Sequence, residues 1–334
     1  GCLGAVFLYH GLRGVGHGQV GGKRGNRVTF DQVNYLNAGL MLLAAGVALV
    51  LPFELFLFAY AVLGPAHYLT QISWLHDRRY FTTGKYDYVL LVLLTLPIAA
   101  RFVFGDWLPA GVDWDGIFAC VALLAAAGMA YFKRPFHKLA LAALAAMCAA
   151  YICRVPDIAL LFSFFVPTLI HVYVFTGAFI LYGTLRSPSF SGWLSLAVLV
   201  LCGVGFFVFD IPTWGYGATE FIRDSMGRLV AIPEQFIRVF GLGTGWETVV
   251  DVMRFVAFAY TYHYLNWFTK TKVIRWHEIP RRRYIAIAVL YLLSVGIYAI
   301  DYAWGISALF CLSLIHVFLE FPLNHRTFVG IGQH

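Results

Sequence analysis

The chain has 334 residues, of which 60% are apolar and only 12% charged, with a formal net charge of +7. Ordinary soluble domains are about 25% charged. Apolar runs of roughly 16–25 residues recur from residue 35 to residue 322, more than a water-soluble interior could hide, because single soluble cores stop growing at about 250–300 residues. A bilayer removes the difficulty, since the outer surface need not be polar. The composition excludes a soluble globular enzyme. It also turns attention from the sum of the charge to its location, and nucleic acid is not expected as a partner.

The chain begins with residues 1–9, too short and too poorly flanked to read as a signal peptide, followed by a Gly-rich, basic stretch over residues 13–27 that reads as a loop. About ten spans follow, at 35–51, 54–75, 87–104, 116–132, 136–152, 157–183, 192–209, 252–269, 284–301 and 303–321. Lys133, Arg134 and Pro135 part the fourth span from the fifth, and Arg154, Pro156 and Asp157 part the fifth from the sixth. The expected fold is all-α, a polytopic transmembrane helix bundle forming a single membrane domain over 1–334. The six cysteines (Cys2, Cys120, Cys148, Cys153, Cys202, Cys311) are scattered and read as small buried hydrophobes rather than disulfide partners.

Charge orients the bundle. If the chain changes sides at every span, one side collects only Arg101, Arg154, Arg223, Arg228, Arg238 and Arg254, and the other holds the remaining 18 of the 24 Lys and Arg residues. The positive-inside rule makes the richer side cytoplasmic, with both termini on it. The expected location is a bacterial-type inner (plasma) membrane. The long connection at 210–251 then lies outside. It carries two short amphipathic stretches, 219–230 and 233–240, read as helices lying flat on the membrane, with a lid or a docking surface for a protein partner as the alternative. The inner cluster Lys270, Lys272, Arg275, Arg281, Arg282 and Arg283 suits topology and anionic lipid head groups.

Ionisable residues inside spans are costly and carry a functional hypothesis by default. Here they are mainly histidines: His67 in the second span, His171 in the sixth, His263 in the eighth and His316 in the tenth. All four spans run outside to inside. Counted back from the first cytoplasmic charge at 1.5 Å per residue, the four lie about 10–22 Å below the inner boundary, in one layer. His316 and Glu320 are four apart, on one helix face, with Asn324 a turn further. His67 has Gln71 at the same spacing, and His263 has Tyr260 a turn before it and Asn266 a turn after. Pro65 and Pro167 precede histidines and are expected to kink their helices. His-Tyr-Leu occurs at both 67–69 and 263–265, a weak internal echo.

Histidine and carboxylate ligands projecting inward from several helices are how bundle proteins hold iron or manganese. The metal ligands expected are therefore His67, His171, His263, His316 and Glu320, with Gln71, Asn266 and Asn324 supporting the cofactor and Glu320 and Tyr260 in catalytic roles. The cofactor is a transition metal, iron first, in a non-haem centre; haem, needing only one or two axial histidines, is the alternative. In its histidines on several spans near the inner face the chain is similar to membrane non-haem iron enzymes such as lipid desaturases and hydroxylases and carotene-cleaving membrane oxygenases. The HxxxH and HxxHH boxes of the former are absent, so no residue roles are carried over. The expected activity is oxidative chemistry on a lipid-like, apolar substrate entering from membrane lipid. A non-catalytic accessory subunit and a transporter or proton pathway are the rival readings.

Overall fold

A computed structural model describes residues 30–271 and 275–334. The basic stretch at 13–27 and Lys272 lie outside the described residues. Within them the chain is helical, with no strand. Ten long helices match the expected spans one for one: α1 (Phe30–Val50), α2 (Pro52–Asp77), α3 (Tyr88–Phe104), α4 (Trp114–Tyr131), α5 (Pro135–Ile152), α6 (Pro156–Arg186) and α7 (Phe190–Val208). Two short helices follow, α8 (Glu220–Met226) and α9 (Ala231–Phe240). The last three long helices are α10 (Trp246–Thr269), α11 (Arg281–Ile300) and α12 (Tyr302–Gly332). Eight of the ten are long and apolar enough to cross a membrane on length and composition; α3 is shorter and α10 more polar.

Helix starts follow local chemistry. Pro52, Pro135 and Pro156 sit in the first turns of α2, α5 and α6, where the missing N–H has no partner to lose. Asp113, Ser189 and Asp301 cap α4, α7 and α12 by accepting from Gly116 N (2.9 Å), Gly192 N (3.1 Å) and Trp304 N (2.8 Å). Helix α12 is longer than expected: it runs past Pro322 to Gly332, so Asn324, His325 and Arg326 continue the helix rather than follow it. The kinks expected at Pro65 and Pro167 take a specific form. The backbone widens to π-helix over Ala59–Leu63, just before Pro65, and over Leu161–Phe175, around Pro167. A proline removes one donor from the ladder, and a widened turn is one way to absorb it.

Polar contacts near helix ends join ends that alternation places on the same side. At the basic end, Arg283 pairs with Asp77 at 2.7 Å, Lys138 with Asp87 at 2.6 Å, Thr269 Oγ1 donates to Asn37 at 3.1 Å, and Arg326 reaches Ala130 O at 3.1 Å. At the other end Tyr216 donates to Glu54 at 2.8 Å and Tyr302 to Leu57 O at 2.9 Å. Arg254 of α10, counted by sequence with the outer charge, is wholly buried. It donates to Leu49 O, Ile211 O and Pro212 O and pairs with Asp251 at 2.8 Å. Its guanidinium thereby ties the start of the 209–245 connection to α1 and α10.

The bundle has an inner and an outer set of helices. Helices α10 and α12 each pack against both α2 and α6, while α1, α3, α4, α7 and α11 pack around these four and α5 lies against α4. In α5 and α11 only 17% and 11% of the most apolar window is buried, and large side chains such as Leu139, Met147, Leu201, Leu292 and Leu293 face outward. So much apolar surface is expected where the surroundings are lipid. In α9, Ile232, Pro233, Phe236 and Ile237 are buried while Phe240 is exposed. Phe236 stacks on Phe207 of α7 at 5.5 Å and meets Phe255 of α10 at 5.8 Å. The stretch at 219–230 divides into α8 and a 3-10 turn over Gly227–Val230.

Candidate metal centre

The four inner helices carry one histidine each, and the fold brings all four together. His67 comes from α2, one turn beyond its π-helical segment; His171 lies inside that of α6; His263 is in α10 and His316 in α12. All four are buried. The Nε2 atoms of His67 and His263 are 3.1 Å apart. Ring centroids are separated by 5.4 Å for His67 and His316, 4.9 Å for His171 and His263, and 5.1 Å for His171 and His316. His67, His263 and His316 each offer a nitrogen within 4.8 Å of the others.

That trio is tighter than the five-ligand set expected from sequence. His171 and Glu320 stand beside it rather than in it. Glu320 is buried one turn from His316 and accepts a hydrogen bond from Gln71 Nε2 of α2. The carboxylate and the amide expected to support the site are thus bonded to each other, across α2 and α12. Asn324 is buried a further turn along α12. Asn266 takes a bond from Tyr262 of its own helix at 3.4 Å. Tyr260 lies one turn from His263 with its ring edge against Phe56, 5.2 Å between centroids. Lys270, at the end of α10, is buried also.

Sequence reasoning missed Thr176. Its Oγ1 sits 2.8 Å from His263 Nδ1. With Nδ1–H donated to that hydroxyl, the Nε2 lone pair of His263 points into the cluster, the usual way a neighbouring group fixes a ligating tautomer. Thr176 is five residues from His171, off the three- and four-residue spacings that mark one helix face, so only the packing of α6 on α10 brings it to His263. Trp267 closes the site on its basic side, donating to Thr70 at 2.9 Å and meeting the His67 ring edge-on at 5.6 Å.

The cluster has more polar atoms than partners. His67 Nδ1, both nitrogens of His171 and of His316, and Glu320 Oε1 are buried with no hydrogen-bond partner within the protein. Each such group costs about 1–3 kcal/mol when unsatisfied. Several in one place are hard to reconcile with a packing role alone, and a shared cation satisfies imidazole lone pairs collectively. The geometry fits: nitrogens held about 2.0–2.1 Å from one tetrahedral ion lie about 3.3 Å from each other, close to the 3.1 Å observed between His67 and His263. Three neutral imidazoles with a carboxylate nearby suit iron, zinc or copper by ligand type.

A cavity of about 220 Å³ adjoins the cluster at His171 and His316. Tyr60, Tyr260 and Tyr264 contribute to its wall, which is otherwise largely aliphatic and aromatic. These features define a helical membrane bundle with a buried three-histidine group. No protein family, characterised protein or solved structure matches the chain, so the functional reading rests on the site itself.

Proposed function

We propose that this protein is an integral membrane metalloenzyme, an oxidoreductase acting on an apolar, lipid-like substrate at a non-haem iron centre held by His67, His263 and His316. The convergence of three buried imidazoles from three helices, with nitrogens within 4.8 Å of one another, carries the reading. Iron bound there supplies a redox-active Lewis acid able to activate dioxygen or polarise a substrate. The chain's own residues do the rest. Thr176 orients His263. Glu320, held by Gln71, provides a carboxylate beside the centre for proton transfer or for a fourth ligand position. The surrounding apolar helices exclude water.

The excess of Lys and Arg at the end where α2, α4 and α6 terminate supports a bacterial-type inner-membrane location, with that end cytoplasmic, both termini on that side and the 209–245 connection outside. The test of the metal reading is elemental analysis and an absorption spectrum of purified protein beside a variant with His263→Ala and His316→Ala. About one iron per chain, lost in the variant and without a Soret band, is the expected result. Equal and negligible metal in both would sink the proposal, and a Soret band would replace it with haem.

A further inference from the structure

The cavity beside the cluster has a direction. Helices α2, α6, α10 and α12 run the same way through the bundle, and the lining reaches no more than two residues past any of the histidines (Val172, Tyr264, Val317 and Phe318) but extends well before them: Tyr60 before His67, Ser163 and Phe164 before His171, Tyr260 before His263, Ile306 and Phe310 before His316. Ile306 is ten residues from His316, about 15 Å along a helix. At the far end the wall is made by Leu229, Ala231 and Ile232, from the junction of the 3-10 turn with α9. The space therefore leads away from the basic end, from the histidines to the underside of the 209–245 connection.

Its chemistry is selective. No Asp, Glu, Lys or Arg is among the lining residues, so a charged occupant would have no counter-ion, a large penalty in so buried a place. Phe102, Phe164, Phe310 and Ile306 make the body apolar. The volume of about 220 Å³ exceeds the about 150 Å³ of an apolar cavity that takes up benzene. At the inner end stands His171, 1% exposed and with neither ring nitrogen partnered. It is outside the trio of close nitrogens, so it is free for another task. A neutral imidazole has one donor and one acceptor, the complement of a hydroxyl.

We propose that this cavity binds a neutral, slender apolar molecule with a single hydroxyl or carbonyl group, gripped by His171 next to the histidine trio, its chain running outward beneath Leu229–Ile232. This rests on the metal-centre reading only for placing the gripped end beside the reacting metal; binding itself does not need the ion.

The test uses the full chain in lipid nanodiscs after metal is stripped with a chelator, so that it stands or falls separately from elemental analysis. The probes are an eight-carbon primary alcohol bearing a mid-chain diazirine and the matching diazirine alkane, with cross-links mapped by mass spectrometry. The alcohol probe is expected to label peptides containing Phe164, Phe310 and Ile232 saturably. Octanol should compete, octanoate should not, and His171→Leu should weaken that competition about tenfold, the loss of one buried hydrogen bond, with the alkane probe labelling variant and wild type equally. Ala231→Trp, at the mouth, should abolish labelling by both probes. Labelling spread over lipid-facing Leu139, Met147 and Leu201 without competition would overturn the proposal, as would octanoate competing as well as octanol. If His171→Leu fails to fold, the ranking of octanol over octanoate and octane on wild-type protein still decides.

Discussion

His67 Nε2 of α2 and His263 Nε2 of α10 face each other across 3.1 Å, although 196 positions separate them in the chain. One of the two, His263, is held from behind by Thr176 at 2.8 Å. A hydroxyl on a third helix thus orients an imidazole that faces the other histidines.

Thr176→Val keeps the shape of the side chain and removes the acceptor of His263 Nδ1–H. Metal affinity is expected to fall about 10- to 100-fold, the usual effect of losing such a partner, with little change in helicity. Competition against a chelator of known affinity, with circular dichroism alongside, measures both. Unchanged affinity would mean that His263 needs no orienting partner.

Gln71 and Glu320 should behave as a pair. Gln71→Leu leaves the buried carboxylate without its donor, and about 1.5–3 kcal/mol of stability is expected to go with it. Adding Glu320→Leu removes the stranded group and should recover part of that loss, since replacing both partners by apolar groups is close to neutral. Thermal melting of the two singles and the double in the same detergent provides the cycle.

Arg254 anchors the connection at 209–245 through three backbone carbonyls and Asp251. Arg254→Met is expected to lower stability by about 3–5 kcal/mol, because buried acceptors and Asp251 lose their partner together. Arg254→Lys should rescue poorly, since an ammonium cannot reproduce the planar fork of donors. Limited proteolysis should then cut first near residues 211–214, where the guanidinium holds the Ile211 and Pro212 carbonyls.

Gly116 of α4 lies so close to α6 that a Cβ there would stand 2.8 Å from Ala159 O. Gly116→Val must push the two helices apart, at about 1–3 kcal/mol of overpacking, and α6 carries both His171 and Thr176. A lowered melting temperature accompanied by weaker metal retention is expected; normal retention would show that the site tolerates movement of α6.

The orientation has its own check. Single cysteines replacing Ser187, exposed between α6 and α7, and Thr244, exposed before α10, should label from opposite sides of sealed vesicles with a membrane-impermeant maleimide, Ser187→Cys from the cytoplasmic side. The reverse pattern would invert the proposed topology.

The helices were legible in the sequence because they depend on local quantities: runs of apolar side chains long enough to cross lipid, with prolines and capping residues at their starts. That His67, His171, His263 and His316 share one layer followed from the same counting. What counting along one helix cannot supply is rotation about its axis and the choice of neighbours, which side-chain packing sets. The tertiary structure alone decided that three of the five expected ligands form the tight group, that Glu320 turns to Gln71, that Thr176 stands behind His263, and that Arg254 is buried against the start of the 209–245 connection. Each of these joins residues on different segments, so its energy comes from a meeting of helices that no single stretch of sequence encodes.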